Sequence, residues 1–126
     1  MRIYKNRWFE RFGRKERIED AVLCEAVSRA EKGLIDANLG GGLIKQRLAK
    51  PGAGKSGGYR TMIFYRAGER AVFAFGFAKN SQDNIDQRGE EILKDAAKLT
   101  LGFTQSQIDR LVTVGTLVEV NCNGKK

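Results

Sequence analysis

Lysines and arginines in or near predicted strand ends are the side chains of this sequence best suited to chemistry. They are Lys45, Arg47, Lys55, Arg60 and Lys79. The chain has no histidine, so it lacks the commonest general base and the commonest metal ligand. We therefore expect any catalysis to depend on Lys, Arg, Tyr or carboxylate side chains, without a metal or another cofactor.

Three predicted strands position these cations. Alternation in the first, residues 43–49, puts Lys45 and Arg47 on one face and apolar side chains on the other. The second, residues 59–66, is rich in aromatic and β-branched residues. A link of three residues joins it to the third, residues 70–79, and so predicts an antiparallel hairpin. Strict alternation places three phenylalanines of the third strand on one side: Phe73, Phe75 and Phe77.

The predicted hairpin brings two of the cations together. The start of its first strand lies beside the end of its second, so we expect Arg60 and Lys79 at one end of the sheet. The loop of residues 50–58, KPGAGKSGG, would carry Lys55 to the same place. A single strand-end cation is usually only solvated, so the prediction of a site depends on this convergence.

The same loop nearly matches the phosphate-binding motif GxxxxGK[ST], with Ala49 in the first position. That motif needs a helix directly after its last residue, so that the helix N-terminus faces the phosphates. Here the continuation, GGYRTMI, predicts a strand. We therefore reject nucleotide hydrolysis. The loop is either a basic segment whose amides approach a phosphate backbone or a plain surface loop.

Helices are predicted on both sides of these strands in the chain. Apolar spacing of three and four predicts one over residues 16–32, with Gly33 as its C-cap and a connector up to Gly42. A second helix is expected to start near residues 81–84, where Ser and Asp are cap candidates, and to run to about residue 99. A capping box at Thr104 predicts a short third helix.

The order of elements indicates an α+β fold rather than alternating α/β. Residues 2–12 are ambiguous between a short strand and a helix, and residues 116–120 between a strand and an extended tail. The length predicts one domain over residues 1–126. Its core spans about 16–98, with a helical extension and tail at 102–126.

The net charge of +8 is concentrated in the middle of the chain. Residues 43–79 hold eight Lys or Arg and one acidic residue, whereas residues 80–126 hold six basic and seven acidic residues. Lysine and arginine neutralise phosphates and release counterions, so this distribution favours nucleic-acid binding. The alternative is a charged face that only keeps the protein in solution.

The sequence carries no apolar run of membrane-spanning length and no signal-peptide pattern at its start. We expect a cytoplasmic protein. Its two cysteines, Cys24 and Cys122, are far apart in sequence. We expect both to be reduced, the first as a small buried residue and the second as a tail thiol.

Two quoted stretches carry a resemblance to a known family. GGGLIKQRLAKPGAGKSGGYRTMIFYR, followed by a hairpin and FGFAKNSQDNI, resembles the RelE/HigB toxins of type II toxin–antitoxin systems, in the RelE/ParE superfamily. The resemblance implies a RelE-like antiparallel sheet with an N-terminal helix packed on one side and C-terminal helices. It also implies a ribosome-dependent mRNA endoribonuclease, an mRNA interferase, that cuts messages in the ribosomal A site.

The resemblance further implies partners and residue roles. A co-encoded antitoxin, in the HigB branch a helix-turn-helix protein, would inhibit the toxin and bring it to operator DNA. By motif Arg60 would stabilise the transition state, because a planar guanidinium binds phosphate oxygens in pairs and stays charged. Lys79 and Lys55 would transfer protons. RNA or ribosome contacts would come from Lys45, Arg47, Lys50, Tyr59 and Asn80, although Tyr59 is equally suited to the core.

One departure from the family pattern keeps other functions open. Many RelE toxins have a tyrosine after the third strand, and here no tyrosine follows Tyr65. A ParE-like inhibitor of DNA gyrase or a non-catalytic nucleic-acid-binding module on the same fold are therefore the alternatives. A converging cationic cluster favours RNA cleavage, since a gyrase inhibitor does not need one.

Overall fold

The computed structural model describes residues 1–50, 54–79 and 85–122, without the side chains of residues 50 and 54–57. In these ranges the chain forms six strands and four helices. In chain order they are β1 (Arg2–Asn6), α1 (Arg7–Glu16), α2 (Asp20–Glu31), β2 (Ala37–Gly40), β3 (Leu43–Lys50), β4 (Gly54–Arg66), β5 (Arg70–Ala78), α3 (Gln87–Leu101), α4 (Gln105–Thr113) and β6 (Leu117–Glu119).

The strands of the described ranges form one sheet in the order β2-β3-β4-β5-β1-β6. All neighbours are antiparallel except β1 and β5, which run parallel. The α+β prediction and the hairpin between β4 and β5 are confirmed. The ambiguous residues 2–12 are a strand followed by a helix, and residues 117–119 pair with β1.

Each face of the sheet packs against helices. The first face, under α1 and α2, buries an apolar cluster that includes Phe9, Leu23, Val27, Ile44, Leu48, Ile63 and Phe73. The second face, under α3 and α4, buries another that includes Tyr4, Leu43, Met62, Phe64, Val72, Ala97, Leu101 and Ile108. Each large apolar side chain buried in this way stabilises the fold by about 1.5–3 kcal/mol. None of the helices in the described ranges is long and apolar enough to cross a membrane.

A bulge in β5 overturns the expectation that its three phenylalanines share one side. Met62 pairs with Phe75, but the next residue of β4, Ile63, pairs with Phe73, so Ala74 has no partner of its own in the ladder. This extra residue reverses the alternation. Phe73 consequently lies in the first cluster, whereas Phe75 and Phe77 lie with the second.

The helices begin and end at local signals. The predicted helix over residues 16–32 is α2, which begins only at Asp20, because Arg17 has a left-handed backbone (φ 59°) that ends the preceding helix α1 at Glu16. Gly33, with φ 84°, follows the end of α2 as predicted. Asp86 caps α3 by accepting a hydrogen bond from Gly89 N, and the capping box of α4 at Thr104 is confirmed. Residues 81–84, the expected start of α3, lie outside the described residues.

The expectation of two reduced cysteines is wrong. Cys24 in α2 and Cys122, three residues after β6, form a disulfide across a sequence separation of 98. Val120 N donates to Ile3 O at 2.8 Å, which extends the pairing of β1 with the last strand toward the bond. Sequence spacing does not reveal the pairing, because the two residues meet only through the docking of β1 and β6.

Candidate active site

Of the helices in the described ranges, α3 packs over the second face of the sheet at the end where β3 begins and β4 ends. At the covered end Leu101 of α3 lies so close to Gly42 that a Cβ at that position would be 2.5 Å from Leu101 Cδ1. Gly42 also has a φ of +88°, so a side chain there would be strained twice over. At the other end of the same strands is a cavity of about 240 Å³. Its described lining residues are Asp36, Ala37, Lys45, Arg47 and Arg60.

Strand register brings the predicted cations to this second end. Arg60 pairs with Arg47 of β3 on one side and with Phe77 of β5 on the other. Lys79 N donates to Gly58 O at 3.1 Å, which continues the ladder past the end of β5. Because Lys79 is two residues after Phe77, its side chain leaves the sheet on the same face as Arg60. Lys45 lies on that face by the same rule, two residues before Arg47.

The guanidinium of Arg60 is the unusual group in this cluster. Its Nη1 is buried and has no hydrogen-bond partner in the part of the chain that the structure describes. A buried donor without a partner costs about 1–3 kcal/mol, and more when the group is charged. Its cross-strand neighbour Arg47 adds a like charge. The arrangement therefore suits an anion that supplies acceptor oxygens to Arg60.

Asp36, just before β2, is a cavity residue that the sequence did not identify. Its Oδ2 accepts a hydrogen bond from Arg47 N at 2.7 Å, and its Oδ1 lies 3.8 Å from Arg47 Nε. The buried side chain of Gln46 accepts a hydrogen bond from Asp36 N at 2.8 Å. This carboxylate therefore positions Arg47 at the cavity. Only the pairing of β2 with β3 puts Asp36 there, because it stands in a segment that the sequence indicates to be a connector.

A protein-family comparison fits this geometry. The family model described as RelE toxin of RelE / RelB toxin-antitoxin system matches residues 1–120. The chain belongs to the RelE toxin family. It is thus a toxin of a toxin–antitoxin system, and an antitoxin is its partner. Comparisons with curated proteins and with solved structures found no match.

In this RelE-family toxin Tyr59 belongs to the core and not to the cationic face. Its side chain is 2% exposed, lies in the first cluster and meets the ring of Phe12 edge-on at 5.7 Å. The hydroxyl donates to Glu16 Oε1 at 2.9 Å. Burial, helped by this bond, raises the pKa of Tyr59 to about 12, so the phenol is neutral. The expected contact of Tyr59 with RNA is corrected, because Tyr59 and Arg60 alternate across the sheet.

The remaining predicted site residues of the toxin are only partly described. Lys50 ends β3, and Lys55 lies near the start of β4, where Gly54 pairs with Lys50. The side chains of Lys50 and Lys55 lie outside the description, and so does all of Asn80. Lys79 is exposed. The described cations at this end of the second face are therefore Lys45, Arg47, Arg60 and Lys79. We call these four residues the cationic face.

Proposed function

We propose that this toxin is an endoribonuclease that cuts messenger RNA on the ribosome. One observation carries the proposal: Arg60 keeps a buried guanidinium nitrogen without a hydrogen-bond partner among the described residues, in a cavity that Lys45 and Arg47 line together with Asp36. A phosphodiester is the anion that RNA offers in every nucleotide, and it has two free oxygens for the fork of an arginine. Family membership as a toxin supports the same reading.

The reaction is attack of the RNA's own 2′-hydroxyl on the adjacent phosphorus. The bond from the 2′ oxygen to phosphorus forms, and the bond from phosphorus to the 5′ oxygen breaks. The products are a cyclic phosphate and a free 5′-hydroxyl. Charge builds up on the phosphorane oxygens in the transition state, and Arg60 stabilises it there. The pairing of Arg60 with both neighbouring strands fixes its backbone and the face of the sheet from which its side chain extends before the substrate binds.

Two protons must move in this reaction, one from the 2′-hydroxyl and one to the leaving 5′ oxygen. Lys79 and Lys55 are the side chains we propose for these transfers. Lys79 is exposed and on the face of Arg60, so it can reach a phosphate that Arg60 holds.

Ribosome dependence is supported by the extent of the cationic face. One scissile phosphate would contact Arg60 and Lys79. Lys45 and Arg47 extend the positive charge from there onto β3. We propose that these two residues, with Lys50 and Asn80, bind the backbone of messenger or ribosomal RNA. The setting is then the cytoplasm, and the antitoxin is a helix-turn-helix protein that covers the cationic face and carries the toxin to operator DNA.

The test is transcript mapping by primer extension after brief expression of the wild type, Arg60→Ala and Arg66→Ala. Arg66 is the matched control, because it lies on the same face of β4 and its Nη1 already donates to Leu101 O at 2.7 Å. We expect codon-phased cuts from the wild type and Arg66→Ala. Arg60→Ala should cut at least a hundredfold less while still binding the antitoxin.

Each other outcome identifies a different function. Cuts without codon phase would support a ribonuclease but contradict its dependence on the ribosome. Intact transcripts with DNA breaks or an SOS response would indicate a gyrase inhibitor. Intact transcripts and intact DNA would indicate a binding module. Full cutting by Arg60→Ala would contradict the assigned site.

A further inference from the structure

Trp8, in the first turn of α1, is an exposed aromatic side chain at the edge of the sheet. Its side chain is 37% exposed, and the ring stacks on Phe12 at 5.2 Å and leans on Phe75 at 4.6 Å. The apolar spacing of α1 predicts that Trp8 and Phe12 share one face of the helix. It does not predict that part of this face, at Trp8, is exposed to solvent. Trp8 lies there because β1 ends at Asn6, so β5 is flanked by the helix from this point on.

The ring is held in place by contacts of its neighbours. Asn6 caps α1 by accepting from Phe9 N at 2.8 Å, and its amide donates to Ala74 O at 3.1 Å, which fixes the first helical turn to the bulge of β5. Gly76 lets α1 approach, since a Cβ there would be 3.0 Å from the Phe12 ring and 3.3 Å from Phe9. Trp8 is therefore a preorganised surface and not a loose side chain.

A row of aromatic rings leads from Trp8 to Phe77, the strand partner of Arg60. The ring of Phe75 lies 4.6 Å from Trp8 and 6.2 Å from Phe77. Phe77 pairs directly with Arg60 across β4 and β5. Phe75 is half-buried and Phe77 is buried, so the exposed end of the row is Trp8. Trp8 thus lies beyond β5, on the side of Arg60 opposite to Lys45 and Arg47.

Cations continue past Trp8 along α1. Lys15, seven positions later, lies on the same side of the helix as Trp8, whereas Arg11, three positions later, lines a cavity with Gly115 and Val118. Both are exposed, and neither forms an ion pair within the described ranges. The order across the molecule is therefore cations on β3, Arg60 on β4, aromatic rings on β5 and α1, and cations again.

We propose that Trp8 is a base-stacking subsite that receives an unpaired nucleobase of the RNA whose scissile phosphate Arg60 holds. This inference rests on the proposed function and adds a specific contact to it. Proteins bind single strands by combining a positively charged groove with aromatic rings on which bases stack. The alternation of charge and exposed ring at this edge has that composition, and the base reaches Trp8 along the row that begins at Arg60.

An antitoxin segment is the other macromolecule that could cover an exposed tryptophan. The flanking side chains favour RNA, because the exposed Lys15 lies on the same side of α1 as the ring and the row of rings leads from Trp8 toward Arg60. Binding of an antitoxin segment to Trp8 would not require the row of rings from Trp8 to Phe77 to approach a phosphate site. The antitoxin contact therefore enters as an outcome of the test.

The first test compares Trp8→Leu with Trp8→Phe by primer extension in cells. Leucine keeps apolar contact with Phe75 but loses the aromatic face, whereas phenylalanine keeps one. We expect Trp8→Leu to cut about five- to a hundredfold more slowly, the range of base–aromatic stacking, and Trp8→Phe to stay within about threefold of the wild type. Thermal unfolding of both variants checks that the fold is retained.

The outcomes separate this inference from the proposed function. Intact transcripts with the wild type overturn the ribonuclease itself. Cutting by the wild type and equal cutting by Trp8→Leu overturn the stacking subsite alone. Equal losses in Trp8→Leu and Trp8→Phe, or a loss of antitoxin affinity without a loss of cutting, also overturn it.

A second measurement uses the fact that Trp8 is the only tryptophan of the chain. Its intrinsic fluorescence therefore reports on this position alone. The probes are a 2′-O-methyl RNA hexamer, which cannot be cut by 2′-hydroxyl attack, and an abasic ribose-phosphate chain of the same length. We expect the hexamer to quench the fluorescence and the abasic chain to leave it unchanged. Equal quenching by both would contradict stacking.

Discussion

Two arginines of the β4–β5 hairpin lie on the same face of the sheet and have opposite surroundings. Arg70, at the covered end, is 9% exposed, and its Nη1 donates to Thr100 O at 3.1 Å and Phe103 O at 2.9 Å. Its Nη2 faces Gln105 Oε1 at 3.4 Å. Arg60, at the other end, keeps a buried nitrogen with no partner in the described residues.

The difference separates an arginine that holds the fold from one that is available to a ligand. Carbonyls at the end of α3 have no helical partners, and Arg70 satisfies two acceptors near that end while burying its own charge. Nothing comparable meets Arg60, because the described lining of its cavity contains no helix residue. Burial alone does not distinguish the two. The supply of acceptor oxygens does.

The largest expected effect comes from Arg60→Met, which keeps apolar volume and removes the guanidinium. We expect RNA cutting to fall by about 10²–10³, because a preorganised donor to the transition state is lost. The free energy of unfolding should stay the same or rise, since a buried group without a partner disappears. Cutting rates and urea unfolding measure both. A clear loss of stability would mean that Arg60 holds the fold after all.

Arg70→Met should give the reverse pattern. Removing its hydrogen bonds leaves the part-buried carbonyl of Phe103 without this donor, whereas Thr100 O still accepts from Phe103 N, so we expect unfolding to become easier by about 1–2 kcal/mol. Cutting per folded molecule should not change, because Arg70 is at the far end of β5. Urea titration and an activity assay corrected for the folded fraction check this. A cutting defect in fully folded Arg70→Met would contradict the assignment of a purely structural role to Arg70.

A smaller effect is expected from the double variant Lys45→Ala with Arg47→Ala. Both residues line the cavity of Arg60, and we expect binding of RNA to weaken about tenfold at low salt. The slope of log affinity against log salt should become shallower by about two, one for each lost phosphate contact. Fluorescence anisotropy over a salt series measures it. An unchanged slope would point to a packing role for β3.

The smallest effect is expected from Tyr59→Phe, on the opposite face. Loss of the hydrogen bond to Glu16 should cost about 1–2 kcal/mol at neutral pH and leave cutting unchanged. The pKa of Tyr59 is raised to about 12 in the folded chain, so its contribution is complete below about pH 10 and is lost as the pH rises toward 12. Unfolding curves of the variant should show less of this alkaline loss. Reduced cutting by Tyr59→Phe would instead indicate that Tyr59 contacts the RNA.

The parts of the structure that sequence predicts are those with local causes. The turn at Ala67–Glu69 fixes the hairpin, and the hairpin by itself puts Arg60 beside the end of β5. The capping box at Thr104 fixes the start of α4. In each case the signal and the structure lie within a few residues of each other.

The parts that sequence misses depend on distant partners or on a single extra residue. The bulge at Ala74 changes which side Phe73 occupies, and alternation has no means of showing it. Asp36 reaches the cavity through β2, and Cys24 meets Cys122 through β1 and β6. These outcomes are decided by which strands become neighbours.

The position of β1 between β5 and β6 has a consequence for the order of assembly. The strands that carry the cationic face, β3 to β5, are consecutive in the chain and joined by short connections, so they can associate as a local unit. β1 instead pairs with residues far along the chain, Arg2 with Arg70 and Tyr4 with Glu119. The pairing of β1 is complete only when β6 joins the sheet, next to the point where the Cys24–Cys122 disulfide forms. We therefore expect β3 to β5 to associate before β1 and β6 complete the sheet.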